Sequence, residues 1–291
     1  MESRKPIVAG QFYPAQRDLC VAEINECLQQ RTVSEGLPET ISAGIVPHAG
    51  WTFSGSLAAM VFSAIKRRHE MVDTFVIFGA AHRYFGAAPA VYKSGSWETP
   101  LGLVAIDEQL ADAVLDTGCA VADPQAHEAE HSIEVQVPFI QHLFGDAKIL
   151  PVLVPPTEQA VSLGASVGDI ISGAEQKRIV CIGSTDLTHY GPSYGFTPMG
   201  TGANALRWAD NVNDAEFIDL AIKLDAEGLL ASAAKNQNAC GAGAAAAAVA
   251  AAARLGKTEG LLLAHTNSGE ITLRKMGAES ADSVGYAAIV F

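Results

Sequence analysis

The sequence predicts an α/β fold, a single domain with a mostly parallel central sheet flanked by helices. Short apolar runs alternate with segments of helical periodicity, the pattern of repeated strand–helix units. Several of these runs stop at loops that contain a histidine, the first being residues 41–46 followed by Pro47 and His48. Because ligands of open α/β sheets bind outside the carboxyl ends of the strands, His48 is the first candidate for a binding site.

The predicted elements follow the apolar periodicity along the chain. An ordered arm over residues 8–14 comes first, and Cys20, Ile24 and Cys27 then recur at helical spacing. The predicted helices cover residues 18–30, 54–67 and 108–115, a segment from 131 to about 143, residues 158–172, and a helical pattern over 204–255. The predicted strands cover residues 41–46, 73–78, 148–154, 178–183, 258–265 and 283–291, and turn signals within 91–106 predict a hairpin-like insertion.

The segment 242–253 is almost pure alanine. Alanine has a high helix propensity, and its small side chain lets neighbouring elements approach closely. We therefore expect a buried helix against the sheet rather than a disordered low-complexity tract. Since neither a repeat nor a linker interrupts the sequence, residues 1–291 are predicted to form one domain.

Composition and charge narrow the classes of partner. With 49% hydrophobic and 18% charged residues the chain is globular, and its longest uncharged apolar stretch, residues 239–253, is too short to span a membrane. A formal net charge of -13 would repel nucleic acid and anionic lipid. The predicted partner is a small-molecule substrate or a peptide, and a homo-oligomer stays open. The first residues lack the apolar region of a secretory signal, so a cytoplasmic protein is predicted.

Four histidines stand where apolar runs end, namely His48, His82, His189 and His265. A lone histidine at a strand end more often packs or forms a hydrogen bond than binds a ligand. Four of them at the carboxyl ends of strands in one sheet favour a shared site. Asp186, three residues before His189, adds a carboxylate, so the two residues together have the groups needed for proton transfer.

Cys240 is distinguished from the other cysteines by its place in the sequence. The five cysteines are odd in number and form no CxxC pair, so most are predicted to be buried thiols. Cys240 directly precedes the alanine-rich helix, where free backbone amides and the helix dipole favour a thiolate. The alternative is an ordinary small residue at a helix start. With His48 and His82, Cys240 would complete a His2Cys ligand set suited to iron, zinc or copper.

Further residues are assigned to the same pocket with alternatives left open. His131 and Glu134 are predicted to share a helix face, either as a metal-binding pair or, as we prefer, as an acidic helix start. Arg83 follows His82 and is either a positive charge at the pocket rim that favours an anionic substrate or an exposed surface arginine. Trp51, in the loop after His48, and the strand-end His265 complete the predicted set.

Eight short segments carry a resemblance to a known family and run in the same order over nearly the whole chain. They are AGQFY (9–13), PHAGW (47–51), GAAH (79–82), EHSIE (130–134), LPVLV (150–154), STDLTH (184–189), NACG (238–241) and SVGYAA (283–288). The sequence resembles the Memo family, whose bacterial and archaeal members are called AmmeMemoRadiSam system protein B. That family is similar in fold to the class III extradiol ring-cleaving dioxygenases, which are non-haem iron enzymes.

The resemblance implies roles for the residues that match the family's motifs. It places His48, His82 and Cys240 at metal-binding positions and makes Asp186 and His189 further pocket residues, with His189 at the place of the dioxygenases' catalytic histidine. Two departures accompany these matches. Cys240 stands where the dioxygenases have a carboxylate, and the residue after His82 is an arginine where many family members have a second histidine.

The predicted function is that of a Memo-like metal-binding protein, a dioxygenase-like non-haem iron oxidoreductase of unknown substrate. Its cofactor is expected to be Fe(II), with zinc or copper as alternatives, and Asp186 and His189 are the predicted catalytic residues. Two other functions stay open. One is a non-catalytic metal- or peptide-binding module, as the eukaryotic branch's association with signalling proteins implies. The other is a metal-dependent hydrolase that uses metal-bound water.

Overall fold

The computed structural model describes residues 3–33, 36–174 and 176–291. The strands are β1 (Ser3–Arg4), β2 (Ala43–Val46), β3 (Thr74–Gly79), β4 (Ala90–Val91), β5 (Ser96–Thr99), β6 (Gly102–Ala105), β7 (Val121–Ala122), β8 (Lys148–Leu153), β9 (Ile179–Ser184), β10 (His189–Tyr190), β11 (Leu261–Asn267) and β12 (Ser283–Val290). The helices are α1 (Arg17–Gln30), α2 (Trp51–Arg68), α3 (Glu108–Asp116), α4 (Val137–Phe144), α5 (Gln159–Gly173), α6 (Ala203–Trp208), α7 (Ala215–Ile222), α8 (Ala226–Asn236), α9 (Ala242–Arg254) and α10 (Ser268–Met276). A π-helical turn, Ala209–Asp214, joins α6 to α7.

The main sheet is parallel at its centre and antiparallel towards its edges. Strands β2, β9, β3 and β8 lie side by side and run parallel, and three of them, β2, β3 and β9, are the predicted apolar runs before the loops of His48, His82 and His189. The fourth such run, which contains His265, forms β11 and is antiparallel to β12. On one side β12 pairs antiparallel with β2 and carries β10 and β11, and on the other β4 pairs antiparallel with β8 and carries β7. The α/β fold is confirmed, and the sheet is mixed.

A smaller sheet contains the predicted insertion. Strands β5 and β6 form an antiparallel hairpin in which Ser96 pairs with Ala105 and Thr99 with Gly102. Strand β1 adds to β5 in parallel. The hairpin-like insertion predicted within residues 91–106 is therefore present. Its pairing with β1, at the amino-terminal end of the chain, was not predicted from the sequence.

Helices cover both faces of the main sheet. Successive side chains of β3 accordingly pack into two different cores, one on each face. Phe75 and Ile77 pack into the core beneath α1, α2 and α4, whereas Val76 and Phe78 pack into the core beneath α5, α8 and α9. A strand buried on both faces has no polar side to reveal its periodicity, which is why β3 reads as one continuous apolar run.

The alanine-rich helix α9 is buried against the sheet, as predicted. Its backbone approaches two glycines closely. A Cβ atom on Gly164 in α5 would lie 2.2 Å from the Ala247 carbonyl oxygen, and one on Gly183 in β9 would lie 2.8 Å from that of Ala244. At the start of the helix, a Cβ on Gly241 would lie 2.4 Å from the Ser184 carbonyl oxygen. These contacts hold Cys240, the residue before Gly241, against the carboxyl end of β9.

Several elements differ from the sequence prediction, most clearly at two boundaries and in one additional helix. Helix α2 begins at Trp51 rather than at residue 54, because the Ser54 amide already bonds to the Gly50 carbonyl. Strand β11 continues to Asn267, paired with Gly285 of β12, two residues beyond its predicted end. Helix α10 was not predicted: Ile271 is its one buried residue, so it has almost no apolar stripe to detect. None of the helices in the described ranges has the length and apolarity that crossing a bilayer requires.

Candidate metal centre

The candidate site is a cavity of about 430 Å³ at the carboxyl edge of the parallel strands. The loops that follow β2, β3 and β9 bring side chains to it, and the start of β12 closes it on another side. Polar lining comes from four histidines and a carboxylate, namely His48, His82, His131, His189 and Asp186. Aromatic lining comes from Phe12, Phe53, Tyr194 and Tyr286.

His48 is held as a neutral imidazole whose Nε2 carries the lone pair. Its Nδ1 lies 3.1 Å from the Ser184 hydroxyl oxygen, and that hydroxyl donates its single hydrogen to the Ser132 carbonyl at 2.7 Å. Ser184 must therefore accept from His48, which places the ring hydrogen on Nδ1 and leaves Nε2 with a lone pair. Burial lowers the pKa of His48 well below its usual value, and the nearby His82 adds to that effect. Neutral imidazole is the form that binds metals.

Glu130 orients the second imidazole. It is buried, and its Oε1 accepts from His82 Nδ1 at 3.0 Å and from the backbone amides of His131 and Ser132 at 2.9 and 2.8 Å. Although burial opposes its charge, these bonds and the positive charge of His82 hold the pKa of Glu130 well below its usual range. At His82, burial lowers the pKa, but the hydrogen bond and the charge of Glu130 outweigh burial, so the pKa of His82 is raised. The His82 Nε2 atom is thus free to face the cavity.

Three imidazoles meet in this pocket. The ring centroid of His48 lies 5.1 Å from that of His82 and 5.4 Å from that of His131, and both pairs are nearly perpendicular. His82 and His131 stack with a centroid distance of 5.0 Å. One ring nitrogen from each of the three lies within 4.8 Å of the others, so the group could hold a metal ion. A nitrogen ligand binds zinc at about 2.0–2.1 Å, so two such ligands of one ion lie no more than about 4.2 Å apart, and nitrogens at the 4.8 Å limit would have to move slightly closer.

His131 and Glu134 do not share a helix face, contrary to the prediction. His131 lies in a loop just before a turn at residues 132–133, and the helical segment starts as a 3-10 turn at Glu134. The Glu134 carboxylate faces the amino-terminal arm, where it pairs with Arg4 at 2.7 Å and accepts from the Val8 amide and the Tyr13 hydroxyl. His131 therefore belongs to the pocket, while Glu134 anchors the arm that delivers Phe12 to the rim.

Cys240 contacts the histidine cluster through His48. Its Sγ lies 3.1 Å from His48 Nε2, and its backbone amide donates to the Asp186 carbonyl. Cys240 lies outside the set of three nitrogens that are all within 4.8 Å of one another. The predicted lowering of its thiol pKa by the helix start is wrong for the protein without a bound cation. Burial, followed by the Asp186 carboxylate, raises the pKa of Cys240 above its usual value.

Asp186 and His189 both line the cavity, but they do not bond to each other. The Asp186 carboxylate is buried and accepts from the His48 amide at 2.7 Å and from the Ala49 amide. Burial raises the pKa of Asp186 to about 7. His189 Nδ1 lies 3.0 Å from the Leu187 carbonyl, which can only accept, so Nδ1 carries the hydrogen and Nε2 is free. The Leu187 carbonyl, rather than the Asp186 carboxylate, therefore fixes the orientation of the His189 ring.

The remaining predicted residues lie elsewhere. His265 is inside β11 rather than at its end, and its Nε2 lies 3.0 Å from an Asp214 carboxylate oxygen. Trp51 is buried in the core, where its indole donates to the Val135 carbonyl and stacks on Tyr13. Arg83 is exposed beside the cluster. Its charge contributes, after burial and the His82 charge, to lowering the pKa of His131.

Glu130 and Ser184 hold two of the candidate ligands by hydrogen bonds and were not predicted as site residues from the sequence. Glu130 had a visible signal, because it directly precedes His131 in an acidic segment. Its role depends on a turn that folds it back onto His82, 48 positions earlier in the chain. Ser184 is the last residue of β9, yet only the pairing of β9 with β2 brings its hydroxyl to His48.

Comparison with known proteins gives one consistent result. The sequence model of the family described as Memo-like protein matches residues 4–290. A MEMO1 family protein of Thermococcus onnurineus is 37% identical over 297 residues, covering 99% of both chains. One from Methanosarcina acetivorans is 36% identical over 294 residues, covering 100% of this chain and 99% of its own. One from Pyrococcus furiosus is 37% identical over 300 residues, covering 99% and 98%.

Proposed function

The chain belongs to the Memo family, and from that premise we propose that its pocket binds one divalent metal ion, Fe(II), and serves an oxidoreductase of dioxygenase-like type. The observation that carries the proposal is the convergence of three imidazole nitrogens within 4.8 Å, with the Cys240 thiol against one of them. Nitrogen and sulfur donors of this kind suit iron, zinc and copper rather than magnesium or calcium.

The donors fit a metal ion because their other atoms are already bound. A metal-ligating histidine generally donates its second ring N–H to a carboxylate or another acceptor, which fixes the ring. His48 has Ser184 in that place and His82 has Glu130. These two histidines are common to both ligand sets under consideration. The third ligand is Cys240 by family resemblance or His131 by the distances between donor atoms.

The pocket residues have groups that can hold and move protons. A bound iron ion would supply Lewis-acid and redox chemistry to a substrate. His189 presents an Nε2 lone pair to the cavity and accepts a proton from a hydroxyl placed there. Asp186, with its pKa raised to about 7, holds or releases a proton near neutral pH. Phe12, Phe53 and Tyr286 form apolar walls that exclude water and accept a flat ring.

The test begins with protein purified without oxygen and analysed for bound metals. We expect iron in the wild type and its loss in His48→Ala and His82→Ala, whose side chains are common to both ligand sets. His189→Ala should keep the metal and lose oxygen uptake in a screen of catechols and related phenols. Metal content that falls in His189→Ala as far as in His48→Ala would contradict the division between ligand and base.

The same experiment separates the alternative functions. Metal-replete protein that consumes no oxygen with any phenol would favour the binding module without turnover. Zinc as the bound metal, together with ester or phosphoester cleavage that depends on it, would favour the hydrolase. Either result replaces the oxidoreductase proposal while the ligand assignment stands on the metal content alone.

A further inference from the structure

A second group of donor atoms lies on the opposite face of β12 from the pocket. Val284 and Tyr286 line the pocket, and the residue between them, Gly285, faces the other way. On that side the carboxylates of Asp210 and Asp214 and the imidazole of His265 lie with their donor atoms within 4.8 Å of one another. We propose that these three residues bind a second divalent cation of the zinc type, independently of the histidine pocket.

The two carboxylates are held in place by groups outside the cluster. Asp214 Oδ1 accepts from the Thr188 amide at 2.9 Å, while its Oδ2 lies 3.0 Å from His265 Nε2. Asp210 Oδ2 accepts from the Asn267 amide group at 2.8 Å. Carboxylates that bind a metal usually accept hydrogen bonds from groups on the side away from the ion. Such bonds orient the ligands and leave lone pairs free for the metal.

A buried hydroxyl without a partner is a separate sign of a ligand here. Ser283 is 4% exposed, and among the described residues its Oγ has no hydrogen-bond partner. As alternate residues of β12, Ser283 and Gly285 face the same side of the sheet. Asp214 fills the space over Gly285, where a Cβ would lie 1.9 Å from its Oδ2. The Ser283 side chain thus lies on the side of β12 that holds the cluster, and its hydroxyl could bond to a water ligand of the ion.

Without an ion, the carboxylates beside His265 favour its imidazolium form, and a divalent ion would take the place of that proton. Two carboxylates beside a neutral imidazole leave two negative charges, and protonating the imidazole compensates one of them. A divalent cation neutralises both carboxylates at once.

The donor types select the class of ion, and the surroundings allow it to enter. One imidazole nitrogen and two carboxylate oxygens are a borderline set that suits zinc, whereas calcium and magnesium prefer oxygen ligands alone. Asp210 also lines a surface cleft of about 630 Å³ with Asn267, Gly269 and Glu270. The cleft gives the ion a path from solvent and room for water in its remaining coordination positions.

Zinc itself is the probe for the test. Chelator-treated full-length protein is titrated with Zn(II) by equilibrium dialysis, and the stoichiometry is compared between wild type and variants. We expect about two ions per chain in the wild type and about one in Asp210→Asn and in His265→Gln. Asp210→Asn keeps an oxygen for the Asn267 bond and removes the repulsion from Asp214, so it should fold. Asp219→Asn, an exposed carboxylate on α7, is the matched control and should keep about two.

The His82→Ala variant separates this site from the pocket. If both sites exist, His82→Ala also retains about one ion, and the double variant with Asp210→Asn retains none. If His82→Ala changes nothing while Asp210→Asn and His265→Gln each lose an ion, the second site stands and the proposed metal pocket fails. Wild-type stoichiometry in both Asp210→Asn and His265→Gln overturns the second site and leaves a buried ion pair between His265 and Asp214.

Discussion

The Glu130 carboxylate lies 3.0 Å from Nδ1 of His82 and, through its other oxygen, 3.0 Å from the His82 backbone amide. One buried acidic side chain therefore fixes both the position of this loop and the direction of its imidazole. The arrangement predicts that Glu130 governs metal affinity without touching the metal, because it sets which ring nitrogen is free and how basic that nitrogen is.

Glu130→Gln should weaken metal binding by roughly 10–100-fold, the usual cost of losing a carboxylate behind a ligating histidine. The measurement is a competition titration with a chromogenic chelator under anaerobic conditions. Glu128→Gln changes an exposed carboxylate two residues away and should leave the affinity unchanged. Equal affinity in Glu130→Gln and wild type would show that the charge of Glu130 does not govern metal binding through His82.

Local periodicity predicted the strands and helices that place His48, His82 and Cys240 near one sheet edge. Each of these residues follows an apolar run or precedes a helix, and both signals lie within a few positions of sequence. The environment of each side chain depends on distant residues instead. The tautomer of His48 is set by Ser184 and Ser132, and the Cys240 thiol is affected by Asp186, so neither could be read from a local pattern.

His131 and His265 were predicted with the wrong local structure for the same reason. A spacing of three residues between His131 and Glu134 matches a helix. The ion pair between Glu134 and Arg4, however, places the Glu134 side chain away from that of His131. His265 ended an apolar run, yet pairing with β12 extends the strand to Asn267. Tertiary contacts decide such boundaries, and a single sequence does not display them.

Because α9 packs closely against α5, one added methyl group at their contact is expected to lower the stability of the protein. In Gly164→Ala the new Cβ would lie 2.2 Å from the backbone oxygen of Ala247, which cannot move without shifting the helix. We expect a loss of about 1–3 kcal/mol in the free energy of unfolding, measured by urea denaturation. Gly173→Ala is the matched control at the end of the same helix, where the added Cβ meets nothing within 4 Å. Similar stability of the two variants would mean that α9 packs less closely than described.

The raised pKa of Asp186 predicts that the stability of the protein depends on pH. Burial raises the pKa of Asp186 to about 7 in the folded protein, whereas an unfolded aspartate has a pKa of about 3.9. Between these values the folded state binds more protons than the unfolded state, so the contribution of Asp186 to stability falls as the pH rises.

Asp186→Asn removes this dependence in chelator-treated protein. The free energy of unfolding of the variant, minus that of the wild type, should therefore increase from about pH 5 to about pH 8 in urea titrations. Asp219→Asn, which alters an exposed carboxylate, should give a difference that does not vary with pH. A flat or decreasing difference for Asp186→Asn would show that the carboxyl group titrates normally.

Cys240 predicts oxidation that depends on the metal. Without a cation, burial and Asp186 keep its thiol protonated and slow to react, whereas coordination would deprotonate it beside a redox-active ion. Iron-loaded protein exposed to air should therefore gain oxygen at Cys240, measured by peptide mass spectrometry, and lose metal as the thiolate is oxidised. Cys181 is fully buried inside β9 and should be spared.

Two variants complete this test of the third ligand. Cys240→Ser should weaken metal retention, and Cys240→Asp, which creates a set of two imidazoles and a carboxylate, should shift preference towards Fe(II) over softer ions. Cys119→Ser is the control, because Cys119 is also partly buried but lies beside Ser166, away from the pocket. Full metal retention in Cys240→Ser, with no more oxidation at Cys240 than at Cys119, would make Cys240 a packing residue. His131, whose ring stacks on that of His82 with a centroid distance of 5.0 Å, would then be the third ligand.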